Sequence, residues 1–458
     1  MNSDGRAYLL NKAKHLSGVL YSTKSIPVIF TINKDTYEFN FYTNSIYPHE
    51  GGSSAAHVKA DDGFVFGQTH QGKNIAIYTG DNSLVVDGHQ RLFTSTYVVS
   101  SSCINPENIF TFSGIRFVGE TLNNVFPSDY FRCLPSNEIV YEKKSKHSIH
   151  RVLTNKYTMD WSINAPDPEK LGPDGLPINN PHVFIDIFFD APQPISTISL
   201  HYDKLKELLS FMTFRHNVGF HRVELIKKDA NNNIVVKQAD VYIQEDVGFT
   251  TKTHYNNITF HDLGETLPVL IRLLYDTEDQ KPSYSLGFYP HADRDLHRIS
   301  NTMVRKVCSA IECELSFLAD LNQTGDMLLS NLISRVKNEV KAFRKDNGGL
   351  SQDTYNMIFS SIGNWSFTLA EKLIGLYNLY GTEMRTLNYF NYRITEKELR
   401  AFVKYRNHIT HGTHRVIDPG IGITTQLLCG LVYCCLLKRI GLSQEKILEL
   451  CQEKKITT

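Results

Sequence analysis

A chain of 458 residues, 41% of them hydrophobic, holds more apolar material than one ordinary core can use, so two or three globular domains are expected. Lys+Arg and Asp+Glu are each 48, which excludes reading any partner from whole-chain charge; a basic surface, if there is one, must be local. Eight cysteines with no C-x-x-C pair exclude a zinc ribbon and fit a reduced, cytoplasmic protein.

Residues 1–17 carry Asp4, Arg6, Lys12 and Lys14 among their apolar positions, so no secretory leader is expected. From about residue 18 to 260 the pattern has the period of strands. Tyr37, Phe39 and Phe41 alternate with Glu38 and Asn40 and follow the apolar run 28–32 through Asn33-Lys34-Asp35. That spacing predicts a hairpin with one solvated face. A second hairpin is predicted from 223–226 and 234–243, joined by Asp229-Ala230-Asn231-Asn232-Asn233, with one helix at 204–212 before it. Pro166, Pro168, Pro173, Pro177 and Pro181 exclude helix or central strand between 164 and 181, which we take as a boundary between two β-rich subdomains. One continuous N-terminal domain is the alternative.

From about residue 293 the period becomes 3.6. Helices are predicted near 294–320, 325–345, 352–362, 367–380, 396–411 and 423–440, with a short one after Ser443. The fold class is therefore α+β multidomain: a β-rich, sandwich-like N-terminal region divided as 1–163 and 164–290, then an all-α bundle over 291–458. The longest apolar stretch, 427–437, is about half a membrane span and runs into Lys438 and Arg439, so it reads as a core helix and no membrane partner is expected.

Chemistry concentrates in the helix that opens at Thr395. Thr395 and Glu398 form a capping-box pattern, and Leu399, Phe402 and Val403 mark the buried face. The next member of that stripe is Arg406, a guanidinium where a leucine is ordinary, which demands a cleft edge, an acidic partner or an anion. Asn407 and His411 are one turn apart, and Gly412 is a helix-ending residue. On an ideal helix Arg406 and His411 diverge by about 140°, so their convergence requires a distorted last turn.

Arg406-Asn407-His408-Ile409-Thr410-His411 resembles the Arg-(polar)-x-x-x-His signature of the higher-eukaryote-and-prokaryote nucleotide-binding (HEPN) superfamily. With the loop and apolar helix that follow, ending Lys438-Arg439-Ile440-Gly441, the region resembles the ApeA branch of bacterial antiphage proteins. The β-rich part is similar to that branch in layout. The resemblance implies a helical endoribonuclease that needs no metal or cofactor, with two motif copies facing each other across a homodimer. It further implies abortive-infection defence against phage, RNA (transfer RNA being one candidate) as substrate, and an N-terminal half that meets a phage-derived trigger.

The residue types suit that chemistry. The ribose 2′-hydroxyl is the internal nucleophile, His411 can move protons near neutral pH, Arg406 can brace the phosphate, and Asn407 can orient either. The competing reading of Arg406 is a salt bridge that holds the bundle, and of His411 a helix-end interaction with the dipole. A non-catalytic RNA- or protein-binding scaffold is the corresponding alternative function. His408 and His414 are read as secondary RNA contacts rather than metal ligands, since Gly412 breaks the helix between them and no acid or cysteine completes a set. Lys337, Lys341 and Arg344 form a basic stripe that could track phosphates or simply face solvent. Glu50-Gly51-Gly52-Ser53-Ser54 lacks the Gly-Lys-Ser/Thr ending of a P-loop, so nucleotide hydrolysis is not expected.

Overall fold

Alternating apolar residues place Ser17–Leu20 (β1), Val28–Ile32 (β2) and Phe39–Thr43 (β3) as successive antiparallel strands, with Phe30 opposite Phe41. The computed structural model describes residues 16–22, 27–33, 38–43, 55–80, 84–87, 91–93, 97–101, 110–126, 131–133, 139–141, 146–165, 182–229, 234–243, 257–290, 298–318, 327–363, 368–381, 383, 392–412 and 416–454. The chain divides into two units, Met1–Asp276 and Thr277–Thr458.

In the first unit the chain continues through Ala55–Val58 (β4), Phe64–Thr69 (β5), Asn74–Tyr78 (β6), Leu84–Asp87 (β7), Arg91–Phe93 (β8), Tyr97–Ser101 (β9) and Thr111–Val118 (β10). Helix Glu120–Val125 (α1), strands Phe131–Cys133 (β11), Ile139–Tyr141 (β12), Lys146–Leu153 (β13), Thr158–Ala165 (β14) and Phe184–Pro194 (β15), and helix Ile198–Thr213 (α2) follow. Arg222–Lys228 (β16) and Val235–Ile243 (β17) form the second expected hairpin. Thirteen of these strands join one antiparallel sheet in the order β13-β14-β15-β10-β16-β17-β9-β6-β5-β1-β2-β3-β8. The strands β6 and β9 are buried along nearly their whole length. Tyr202 on α2 meets Phe117 of β10, and the buried His201 meets Phe112 and Phe189, so α2 covers the β10/β15 part of the sheet.

Three expectations for the first unit need correction. The boundary at 163/164 falls inside β14, whose residues pair with β15 from Met159 to Asn164, so the strands on both sides belong to one sheet. The proline-rich segment from 166 to 181 lies outside the described residues. The helical period also begins earlier than 293. Phe260–Leu263 (α3), capped by Thr259 and Asp262, and Leu267–Tyr275 (α4) already close the first unit, with α4 packed against β13. α4 is short and apolar on most sides, which by pattern is indistinguishable from a buried strand. The face of β3 expected to be wet is not uniformly so: Tyr42 is exposed while Asn40 is buried.

The second unit is helical. It comprises Thr277–Gln280 (α5), Pro282–Leu286 (α6), Asn301–Phe317 (α7), Met327–Asn347 (α8), Gln352–Gly363 (α9), Leu369–Leu379 (α10), Glu396–Thr410 (α11), Pro419–Arg439 (α12) and Gln444–Lys454 (α13). α12 is its central element, packing on α7, α11 and α13. It is long and apolar enough to cross a membrane, yet most of it is buried, and Leu428 through Leu437 contact protein on every side. The helix starts at Pro419, not 423, because Asp418 caps it by accepting from the Ile421 N–H and Pro419 stands at the first turn. Cys429, Cys434, Cys435 and Cys451 are buried free thiols of this core. Burial pushes the Cys429 and Cys435 thiols far up, as expected of cysteines that only fill space.

Candidate active site

The start of α11 follows from its sequence. The Thr395 hydroxyl accepts from the Glu398 N–H, and the Glu398 carboxylate accepts from the Thr395 N–H at 2.8 Å and from the Tyr392 hydroxyl. Leu399, Phe402, Val403, Tyr405 and Ile409 are buried against α7, α10 and α12. The Tyr405 hydroxyl donates to Asn301 Oδ1 at 2.8 Å and ties α11 to the first turn of α7.

Arg406 takes the acidic partner that its place on the stripe demanded. Its Nη2 donates to both Glu312 carboxylate oxygens, at 2.8 and 2.9 Å, and its Nη1 donates to Asn407 Oδ1 at 3.1 Å. The Arg406 side chain is 24% exposed and that of Glu312 40%, so the pair sits at the edge of the α7/α11 contact and in reach of solvent. Cys308 lies one turn before Glu312. Burial, with the Glu312 charge adding, pushes its thiol up to about 12 while Arg406 pulls the other way, so it stays protonated and is no nucleophile.

The helix ends as Gly412 permits. The His411 N–H donates to the Asn407 carbonyl at 3.2 Å, and Gly412 adopts φ +86°. α11 thus stays regular to its last residue, and the distortion needed to bring His411 beside Arg406 is absent. The structure joins Arg406 to Asn407 and to Glu312; no hydrogen bond joins either to the His411 ring. His411 is exposed, with no side-chain partner among the described residues. His408 is half-buried one turn from the helix end, and His414 lies outside the described residues.

Lys337, Lys341 and Arg344 form a separate cluster on α8. The two lysine ammonium groups sit 5.8 and 5.6 Å from the Phe359 ring centre, and the Arg344 guanidinium 4.3 Å from that of Tyr355. Arg344 also donates to Gln352 Oε1 at 2.6 Å. The stripe therefore turns toward α9, and α8 packs on α9 rather than on α11. Among the described residues no three His, Cys, Asp or Glu side chains converge as a metal set.

Sequence reasoning missed Glu312. The available signal was the α7 pattern, in which Val304, Cys308, Ile311 and Leu315 form the buried stripe. Glu312 and Glu314 border that stripe on opposite sides, and each meets an arginine: Arg406 for Glu312, and Arg439, at 2.8 Å, for Glu314. No family model, curated protein or solved structure matches the chain.

Proposed function

We propose that the helical unit is a metal-independent endoribonuclease of the HEPN type whose site is assembled from two copies of the chain. The observation that carries this reading is the C-terminal end of α11. There an exposed imidazole, His411, with no side-chain partner among the described residues, stands one turn from Asn407, while Arg406 is fixed at the helix edge by Glu312. Because α11 is regular, Arg406 and His411 of one chain leave the helix about 140° apart. A two-fold arrangement would let the imidazole of one copy serve the guanidinium of the other, and a lone chain would be inactive.

In the reaction the 2′-oxygen attacks the adjacent phosphorus as the bond from phosphorus to the 5′-oxygen breaks, leaving a 2′,3′-cyclic phosphate and a 5′-hydroxyl. His411 takes the 2′-hydroxyl proton or, when protonated, supplies one to the leaving oxygen. Arg406 braces the non-bridging oxygens as negative charge builds. Glu312 acts as a positioning residue, holding the guanidinium plane through two hydrogen bonds. A role in antiphage defence, with a trigger acting through residues 1–276, rests on the resemblance of the motif region alone.

The experiment is cleavage of total RNA in EDTA by the wild type beside Arg406→Ala, Asn407→Ala and His411→Ala. Cleavage by the wild type, lost in the Arg406 and His411 variants, is the expected result. Equal activity in all four samples would mark a contaminant and refute the assignment. The second reading, a non-catalytic binding module, is favoured by the Arg406–Glu312 pair, which already satisfies the cation. It predicts RNA or protein capture without cleavage by any sample.

A further inference from the structure

The helix α8 outruns its partner. At about 1.5 Å per residue it spans roughly 31 Å against roughly 18 Å for α9. Its Lys337, Lys341 and Arg344 turn toward the α9 rings. A different face carries Leu332, Val336, Glu339 and Phe343 at steps of four, three and four, the spacing of a helix-pairing seam. Leu332 is 51% exposed and Phe343 57%, and Met357 of α9 is 65% exposed on the same hairpin. Single exposed apolar residues are ordinary; several on one hairpin, two of them in seam register, point to a cover.

The charges on this face say what the cover is. Arg335 and Glu339 are both exposed, and four residues apart they make no ion pair with each other or with any described residue. We propose that this face of α8 pairs antiparallel with the same face of a second copy of the chain. A two-fold axis passing between residues 337 and 338 sets Leu332 against the partner subunit's Phe343. Within one residue of the same register it sets Arg335 against the partner subunit's Glu339, and each contact occurs twice. One helix thus supplies both the apolar knobs and both signs of charge. A polyanion such as RNA would instead meet Glu339 in the middle of the seam.

This pairing stands on α8 alone and does not depend on the reading of Arg406 and His411. It is tested by light scattering and sedimentation on the full chain, as wild type, Arg335→Glu, Glu339→Arg, the double reversal, and Phe343→Asp. Expected are a wild-type dimer, at least about tenfold weaker dimerisation in each single reversal, recovery in the double, and a monomeric Phe343→Asp with unchanged circular dichroism. A monomeric wild type, or single reversals that dimerise as the wild type does, overturns the proposal. So does a monomer whose α8 crosslinks to RNA, which would assign the face to nucleic acid. RNA cleavage measured on the same samples separates the two proposals. Monomeric variants that still cleave refute the composite site and leave the interface standing, whereas a dimeric wild type that does not cleave refutes the nuclease only.

Discussion

Replacing Arg406 by alanine separates a working cation from a structural one, because the structure bounds what the residue contributes to stability. The Arg406–Glu312 pair is reached by solvent from both sides, at 24% and 40% side-chain exposure. A pair so screened contributes about 0.2–1 kcal/mol, with the forked geometry favouring the upper part of that range. Lost packing of the arginine stem adds a few tenths, for a total of about 1 kcal/mol. The unfolding midpoint should then fall by about 2–4 °C for a unit of this size. Cleavage, by contrast, loses a donor aimed at developing charge, and a single such donor is worth about 100- to 1,000-fold in rate. Urea unfolding followed by circular dichroism and cleavage of a fluorogenic RNA in EDTA read the two quantities on one preparation. Stability lost by about 3 kcal/mol or more would show Arg406 to be a bundle bridge, and wild-type cleavage by the variant would refute its catalytic role.

The second Arg–Glu pair on α7 should behave oppositely. Glu314 is 2% exposed and Arg439 10%, and Arg439 also donates to Gln280 and stacks on Phe317. Removing one partner of a buried pair costs about 3–5 kcal/mol; since the Gln280 acceptors remain, Glu314→Ala should cost about 3, and a loss below about 1 in urea unfolding would refute that burial argument. Thr395→Ala removes the α11 cap and should cost about 1 kcal/mol. The Glu398 carboxyl is held below its usual range because, although burial opposes this, hydrogen bonds from Tyr392 and Thr395 prevail. The cap's contribution should therefore be present at neutral pH and fade as pH falls through the carboxylate range, which pH-dependent melts of wild type and variant would show. In the first unit, burial pushes the His201 imidazole down to about 3. Below about pH 6.5 the unfolded chain binds a proton that the folded chain refuses, so stability should decline from there toward pH 3, and His201→Gln should flatten that slope.

Periodicity carried the helical unit well, since each expected helix overlaps an observed one, although the helix expected from 294 begins only at Asn301, where Ser300 caps it. The exceptions have identifiable causes. Pro419-Gly420 reads as a turn until Asp418 is seen as its cap, and α4 is a nine-residue, almost wholly apolar run of a length that buried strands also reach. Strand pairing in the first unit was legible only for the hairpins β2/β3 and β16/β17. Neighbours such as β10 and β15, or β9 and β17, are far apart in sequence, and nothing local encodes them. At the site, the Thr395 cap, the Gly412 ending and the need of Arg406 for a partner all follow from helix geometry. The identity of that partner does not, because Glu312 is ninety-four residues away on α7.

The proposed division of the site between two copies yields a decisive experiment. If Arg406 of one copy works with His411 of another, then Arg406→Ala and His411→Ala chains are each inactive alone. A mixed dimer of the two keeps one intact site, made from the guanidinium of the second chain and the imidazole of the first. Random mixing makes about half the dimers mixed, each with one good site of two, so refolding the inactive chains together should restore about one quarter of wild-type cleavage. Sites built within one chain would restore none, because every Arg406–His411 set would then lack a member. Full activity cannot arise by either route, so recovery well above a quarter would mark exchange or contamination. The regular last turn of α11, with the His411 N–H bonded to the Asn407 carbonyl, is the feature that makes the trans arrangement the one to test.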